Sequence, residues 1–195
     1  KHWPEYLMEA AGLGLFMISA AVVTTLLEYP HSPLHGLFAD QATRRLMIGL
    51  AMGATAIGLI YSPWGKRSGA HLNPAVTLTF YRLGKIGGID ACSYVMAQFF
   101  GGALGLWLVS RAIGKAVEHP AVNYVVTTPG PAGSGTAFVA EALISFGLML
   151  VVLMVSNTTS LNAWTGCVPG ALVATYIAIE APLSGMSMNP ARSFA

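Results

Sequence analysis

One eight-residue pattern occurs twice in this chain and limits its fold more than any other feature. Ser68-Gly69-Ala70-His71-Leu72-Asn73-Pro74-Ala75 and Ser184-Gly185-Met186-Ser187-Met188-Asn189-Pro190-Ala191 both read S-G-x-x-x-N-P-A, at a constant offset of 116 (189 − 73). Asn before Pro starts a helix. The Asn oxygen caps a free backbone N–H, and Pro suits the first helical position because it has no N–H to lose. Behind the first copy only residues 76–81 continue as an apolar run. Two turns fall far short of the roughly 20 residues that span a bilayer. Each copy therefore predicts a half-helix that begins inside something larger.

That surrounding medium is set by composition. Hydrophobic residues make up 54% of the chain and charged residues 9%, against roughly 25% charged in soluble domains. With mean hydropathy +0.62, the pattern is that of a polytopic integral membrane protein. A net charge of +2 is too small to point to nucleic acid. Cys92 and Cys167 stand in apolar surroundings with no CxxC or His neighbour, which predicts packing residues, no metal site and no cofactor. No nucleophile–base set is legible, so an enzyme is not expected. No signal-peptide pattern shows, and a chain that begins at Lys1 predicts a trimmed N-terminus.

Five apolar segments read as spans, at about residues 6–27, 44–61, 89–113, 136–155 and 165–181. The second and fifth carry Gly49-xxx-Gly53 and Gly166-xxx-Gly170, the spacing that lets membrane helices approach closely. Glu9 and Glu141 stand near the starts of the first and fourth. The order in each half is thus a helix with an early Glu, a GxxxG helix and an N-P-A half-helix. A first repeat at about 1–113 and a second at about 136–195 form one domain over 1–195. Three spans per repeat is odd, so the repeats enter the membrane from opposite sides. The second repeat lacks its third span, which predicts truncation before a sixth helix. Lys1, Lys66, Arg67, Arg82 and Lys85 against Arg44, Arg45, Arg111 and Lys115 lean towards an inside N-terminus.

Two half-helices from opposite faces would meet with their N-termini facing, each carrying roughly half a positive charge. Backbone broken at that depth is tolerated only inside protein or along a wet cavity. A pore past both ends would repel cations and protons. If the oxygens of Asn73 and Asn189 cap their own helices, each NH2 is left to donate into the lumen. A water held by both would point its hydrogens outward along the pore, breaking a proton relay.

These residues resemble those of the aquaporin family, the major intrinsic proteins. SGAHLNPAVTL and SGMSMNPARSFA look like that family's two signature loops, and the resemblance covers essentially the whole chain. It implies an all-α membrane fold: an inverted repeat with five spanning helices present and two re-entrant half-helices, the second incomplete. It further implies one pore per subunit in a homotetramer. Asn73, Pro74, Ala75, Asn189, Pro190 and Ala191 are the pore motifs, and Arg192 belongs to a selectivity constriction. Pairing of Arg192 with a carboxylate such as Glu180 is the plainer reading of that residue.

The other constriction positions depart from the family's water pattern of an aromatic, a His and a small residue. Ile177 takes the His place and Met186 the small-residue place. The aromatic place falls on Met52, or on Gly53, depending on one extra loop residue. His71 is a candidate pore-lining residue through its ring or its carbonyl. Glu9 and Glu141 read as supports for the re-entrant loops, or as proton-coupling carboxylates. The expected activity is passive conduction of water and small neutral solutes across a bilayer, most naturally the plasma membrane, with protons and cations excluded. The alternatives are an ion- or proton-coupled secondary transporter and a non-conducting structural membrane protein.

Overall fold

The computed structural model describes residues 2–195. The five segments form helices, with ends shifted by up to three residues. The long ones are α1 (Trp3–Glu28), α3 (Gln41–Tyr61), α6 (Gly88–Ile113) and α8 (Gly133–Asn157), each long and apolar enough to cross a membrane. The fifth, α9 (Cys167–Ile179), has 13 residues, about 20 Å at 1.5 Å per residue. It is shorter than the predicted 165–181 and reaches further only through the turn Asn162–Trp164 before it and α10 (Ala181–Ser184) after it.

Short elements join these helices. On one side lie α2 (Pro33–Leu37) and α7 (Lys115–Glu118), and α4 (Pro63–Ser68) follows α3 at the other. The half-helices are α5 (Pro74–Arg82) and α11 (Pro190–Phe194). The sequence places their boundaries. Asp40 caps α3 by accepting from the Thr43 N–H at 2.7 Å, and Ser62 caps α4 by accepting from Gly65 at 2.9 Å. Both α4 and α10 end on a glycine in the left-handed conformation, Gly69 at φ +87° and Gly185 at φ +80°, where a Cβ is unwelcome.

Packing follows the small residues. The two most extensive helix contacts are α1 against α6 and α3 against α9. Gly14 meets Gly101 and Gly105 across the first pair, and Gly53 meets Gly170 and Ala174 across the second. Backbones come together there because no side chain intervenes, and in a bilayer such contact replaces hydrophobic exclusion as the cohesive force. Met17, Ala21, Leu106 and Val109 fill the α1–α6 seam, with Val125, Ile113 and the terminal Ala195 packed against them. That contact puts the C-terminal end of α11 on the same side as the ends of α1 and α6. The helix α8 buries little of its surface, and Phe138, Leu143, Phe146 and Met154 face outward. Cys92 is also exposed; an outward face of α6 in a bilayer accepts apolar groups as readily as a core does, so its surroundings in sequence did not predict burial.

Candidate functional site

Each re-entrant loop hangs from one carboxylate, fully buried in the first loop and half-buried in the second. Glu9, with no exposed surface, accepts from the Ser68 hydroxyl (2.8 Å), the backbone N–H groups of His71 (3.0 Å) and Leu72 (2.6 Å), and the Gln98 amide (2.8 Å). Glu141 accepts from the Ser184 hydroxyl (2.5 Å) and the N–H groups of Ser187 and Met188 (both 2.7 Å). Ser68 and Ser184, His71 and Ser187, and Leu72 and Met188 are all 116 apart. The same three donors thus recur in both loops. Every oxygen of both carboxylates is engaged, the condition under which a buried charge is tolerable.

The loops hold a strained backbone. Ala70 and Met186 both have φ +46° to +48°, and Leu72 and Met188 have φ +48° and +55°. Non-glycine residues at positive φ cost about 1 kcal/mol or more each. The carboxylate bonds hold this conformation in place. The carbonyls of Gly69, Ala70 and His71 receive no protein hydrogen bond among the described residues, nor do those of Gly185, Met186 and Ser187. Both loops line the same cavity, so each supplies a short run of unused acceptors on an otherwise apolar wall.

The half-helices meet head to head. Asn73 Oδ1 caps α5 by accepting from Ala75 N–H at 2.8 Å, and Asn189 Oδ1 caps α11 by accepting from Ala191 (3.1 Å) and Arg192 (3.3 Å). The side-chain amides then cross over. Asn73 Nδ2 donates to the Met188 carbonyl and Asn189 Nδ2 to the Leu72 carbonyl, both at 2.8 Å. This is more than the spacing predicts. One N–H of each Asn ties the two loops together, and one N–H of each remains for the lumen. Pro74 and Ala191 are buried as helix starts, and Ala75 and Pro190 turn to a second recess beside α8 rather than to the cavity that both loops line.

A cavity of about 400 Å³ passes these loops. Met52, Ile177, Met186 and Arg192 all line it. Gly53 does not, which corrects the alternative alignment: it turns to α9, where an added Cβ would fall 2.5 Å from the Gly170 carbonyl oxygen. Met52 is held by Ser19, whose hydroxyl lies 3.9 Å from its sulfur. Among the described residues Arg192 forms no ion pair, so the reading that pairs it with Glu180 does not hold. Its Nη1 is buried without a partner, as are both oxygens of Glu180.

His71 also lines the cavity. Its Nδ1 lies 3.1 Å from Thr77 Oγ1, and its ring stacks on Phe80 at 4.9 Å. In the second loop Ser187 and Ser193 take the places of His71 and Thr77, and their hydroxyls lie 2.6 Å apart. Thr127 joins that chain at 3.1 Å, and Gln98 joins Thr77 at 3.1 Å. Sequence reading missed Thr77, Gln98 and Thr127, and met Ser193 only as the residue that follows Arg192. The 116-residue offset pairs Thr77 with Ser193 and was the one signal that could have found Thr77. Val122, Val125 and Val126, from the loop before α8, close part of the cavity wall; nothing in their local sequence announced it.

Similarity to known proteins agrees with this architecture. A family profile described as major intrinsic protein matches residues 1–195. The chain is 37% identical over 149 residues to a probable aquaporin, AqpM, of Archaeoglobus fulgidus, a match covering 75% of this chain and 60% of that protein. It is 36% identical over 149 residues to the glycerol uptake facilitator protein-like 6 of Lactiplantibacillus plantarum, covering 76% and 68%. Against curated relatives of this kind the chain therefore spans roughly 60–70% of their length. Among solved structures, the aquaglyceroporin from Plasmodium falciparum superposes with a TM-score of 0.79 at 22% identity, covering 100% of this chain and 79% of that one.

Proposed function

The chain belongs to the major intrinsic protein family and is an integral membrane protein, and from that premise we propose that it forms a passive channel for water and small neutral solutes that excludes protons and cations. The observation that carries this reading is the crosswise pair of bonds from Asn73 to the Met188 carbonyl and from Asn189 to the Leu72 carbonyl. It brings two helix N-termini together against one cavity. Their partial positive charges and the guanidinium of Arg192 raise the potential there, which disfavours a passing cation. The remaining N–H of each Asn donates to a water oxygen, and that water's hydrogens then point away along the lumen.

Solute range follows from the constriction. Ile177 offers no donor, and Met52 and Met186 are flexible apolar side chains that narrow the passage without orienting a solute. Arg192 alone supplies a charged donor among these four. Glycerol and urea are accordingly expected to pass beside water. A coupled transporter is the weaker alternative, because Glu9 and Glu141, the carboxylates nearest the loops, are saturated by loop donors. A homotetramer in the plasma membrane completes the proposal; outward Phe100, Trp107, Phe138 and Phe146 supply apolar surface for lipid or a neighbouring subunit to cover.

The test is stopped-flow light scattering on proteoliposomes under osmotic, glycerol and urea gradients, with an internal pH dye. Water and glycerol permeability above that of empty liposomes, without a proton leak, is expected. Permeability equal to empty liposomes, or a proton current coupled to solute, would overturn the reading.

A further inference from the structure

The cavity holds a second guanidinium group, and the pore reading above makes no use of it. Arg45 is on the face of α3 that also presents Ile48, Met52, Ala56 and Ile60, at spacings of three and four residues, and all five line the cavity. Its neighbour Arg44 points elsewhere. Arg44 pairs with Glu28 at 3.0 Å and donates to the carbonyls of Phe38 (2.8 Å) and Ala39 (2.9 Å), closing the α1–α3 end. Arg45 has no such closure. It takes part in none of the ion pairs among the described residues, and its Nε is buried without a partner.

Arg192 is in the same state, with its Nη1 buried and unbonded. The cavity lining contains no Asp or Glu. Arg45 precedes Met52 by seven residues on one helix, about 10 Å of axial rise. The start of α3 and the C-terminal end of α11 lie on the same side of the fold, so Arg45 stands at the mouth and Arg192 at the neck below it. Two cations with unused donors therefore face one apolar space of about 400 Å³. Buried donors of this kind are costly unless the lumen delivers an acceptor.

We propose that Arg45 and Arg192 form a two-station binding site for a small carboxylate at this mouth, with Arg45 as the docking residue. The proposal rests on the channel reading only for the location of the site. A carboxylate has two acceptor oxygens in the plane that a guanidinium fork matches. No acidic side chain in the lining repels it, and the facing half-helix ends add positive potential. A cation meets the opposite field.

The test uses the purified full-length protein in nanodiscs of zwitterionic lipid, titrated with 13C-acetate at constant ionic strength and followed by line broadening of the acetate signal. Saturable binding is expected for the parent. Arg45→Gln should weaken it about ten-fold or more, and Arg45→Lys, which keeps the charge and loses the fork, should fall between. Arg111→Gln, which removes a cation stacked on Trp107 away from the cavity, should bind as the parent does. Absence of saturable binding in the parent, or parent-like binding by Arg45→Gln, overturns the site; if Arg45→Gln does not fold, parent-like binding by Arg45→Lys does so. Water permeability measured on the same preparations separates the two readings. Water flux without acetate binding removes the carboxylate site and leaves the channel, whereas acetate binding without water flux removes the channel and leaves the site.

Discussion

Glu9 shows how much one residue organises here. Four donors converge on its two oxygens, and two of them are N–H groups of the loop in which Ala70 and Leu72 are held at positive φ. Glu9→Gln replaces one acceptor oxygen with an amide NH2, itself a donor, that faces donors. The expected loss is about 3 kcal/mol, since hydrogen bonds to a charged group are worth roughly 1.5–3 kcal/mol and an abandoned donor adds its own penalty. Thermal unfolding of the purified protein in detergent checks it, and Glu141→Gln should fall in the same range. Ile177 makes a different kind of prediction. It lines the cavity beside Met186 and Arg192, and Ile177→His adds bulk and a donor to that wall. Glycerol permeability should drop about ten-fold while water permeability changes little. Equal glycerol flux in parent and variant would show that pore width is set elsewhere.

At the scale of the element, helix pairs rest on glycine and helix starts rest on caps. The α3–α9 contact brings Gly53 so close to α9 that an added Cβ would sit 2.5 Å from the Gly170 carbonyl oxygen and 3.0 Å from the Ala174 Cβ. Backbone cannot yield as a side-chain tip does. Gly53→Ala is expected to cost about 1–3 kcal/mol through overpacking, read as a lower unfolding midpoint with unchanged helical content. The start of α3 gives a pH dependence. Asp40, outside the spanning segments, has its carboxyl held below the ordinary range, first by the Thr43 backbone N–H and then by the Thr43 hydroxyl. Because the folded value is depressed, the cap contributes above the unfolded carboxylate value of about 4 and is lost as pH falls through the lower folded value. Amide exchange at Thr43 and Arg44, taken relative to the intrinsic rate at each pH, should therefore quicken only in acid. Asp40→Ala should be fast at every pH, and Asp40→Asn slow at every pH. An unchanged acid response in Asp40→Ala would remove Asp40 as its source.

For the whole molecule the governing feature is that two chain segments 116 residues apart complete each other. Each half-helix caps its own start, but each capping Asn finds an acceptor for its amide only in the other repeat: α5 sends its Asn amide to the second loop, and α11 sends its own to the first. The charge at that junction belongs to both repeats. Asn189→Asp would place a carboxylate between two positive helix ends and lower the barrier to cations. On the proposed channel reading, the variant should show a cation or proton leak above the parent's, measured with a pH dye and a potassium diffusion potential. A variant as tight as the parent would show that Arg192, not the helix ends, carries the exclusion.

The chain by itself determined the helices, the membrane, the inverted repeat and the two helix starts. Each of these rests on local chemistry or on a comparison of the sequence with itself: apolar length, Asn-Pro capping, and matched offsets. The same self-comparison placed Glu9 beside the first loop and Glu141 beside the second. Only the tertiary structure decided between Met52 and Gly53, because a one-residue ambiguity rotates a helical position by about 100° and so exchanges lumen for packing face. It alone separated Arg44 from Arg45, adjacent in sequence and opposite in fate, one closed on Glu28 and two carbonyls and the other left open to the cavity. The crossing of the Asn amides was likewise decided there. Propensity and capping act within a few residues, whereas a donor that reaches a carbonyl 115 residues away is selected by how two packed repeats meet.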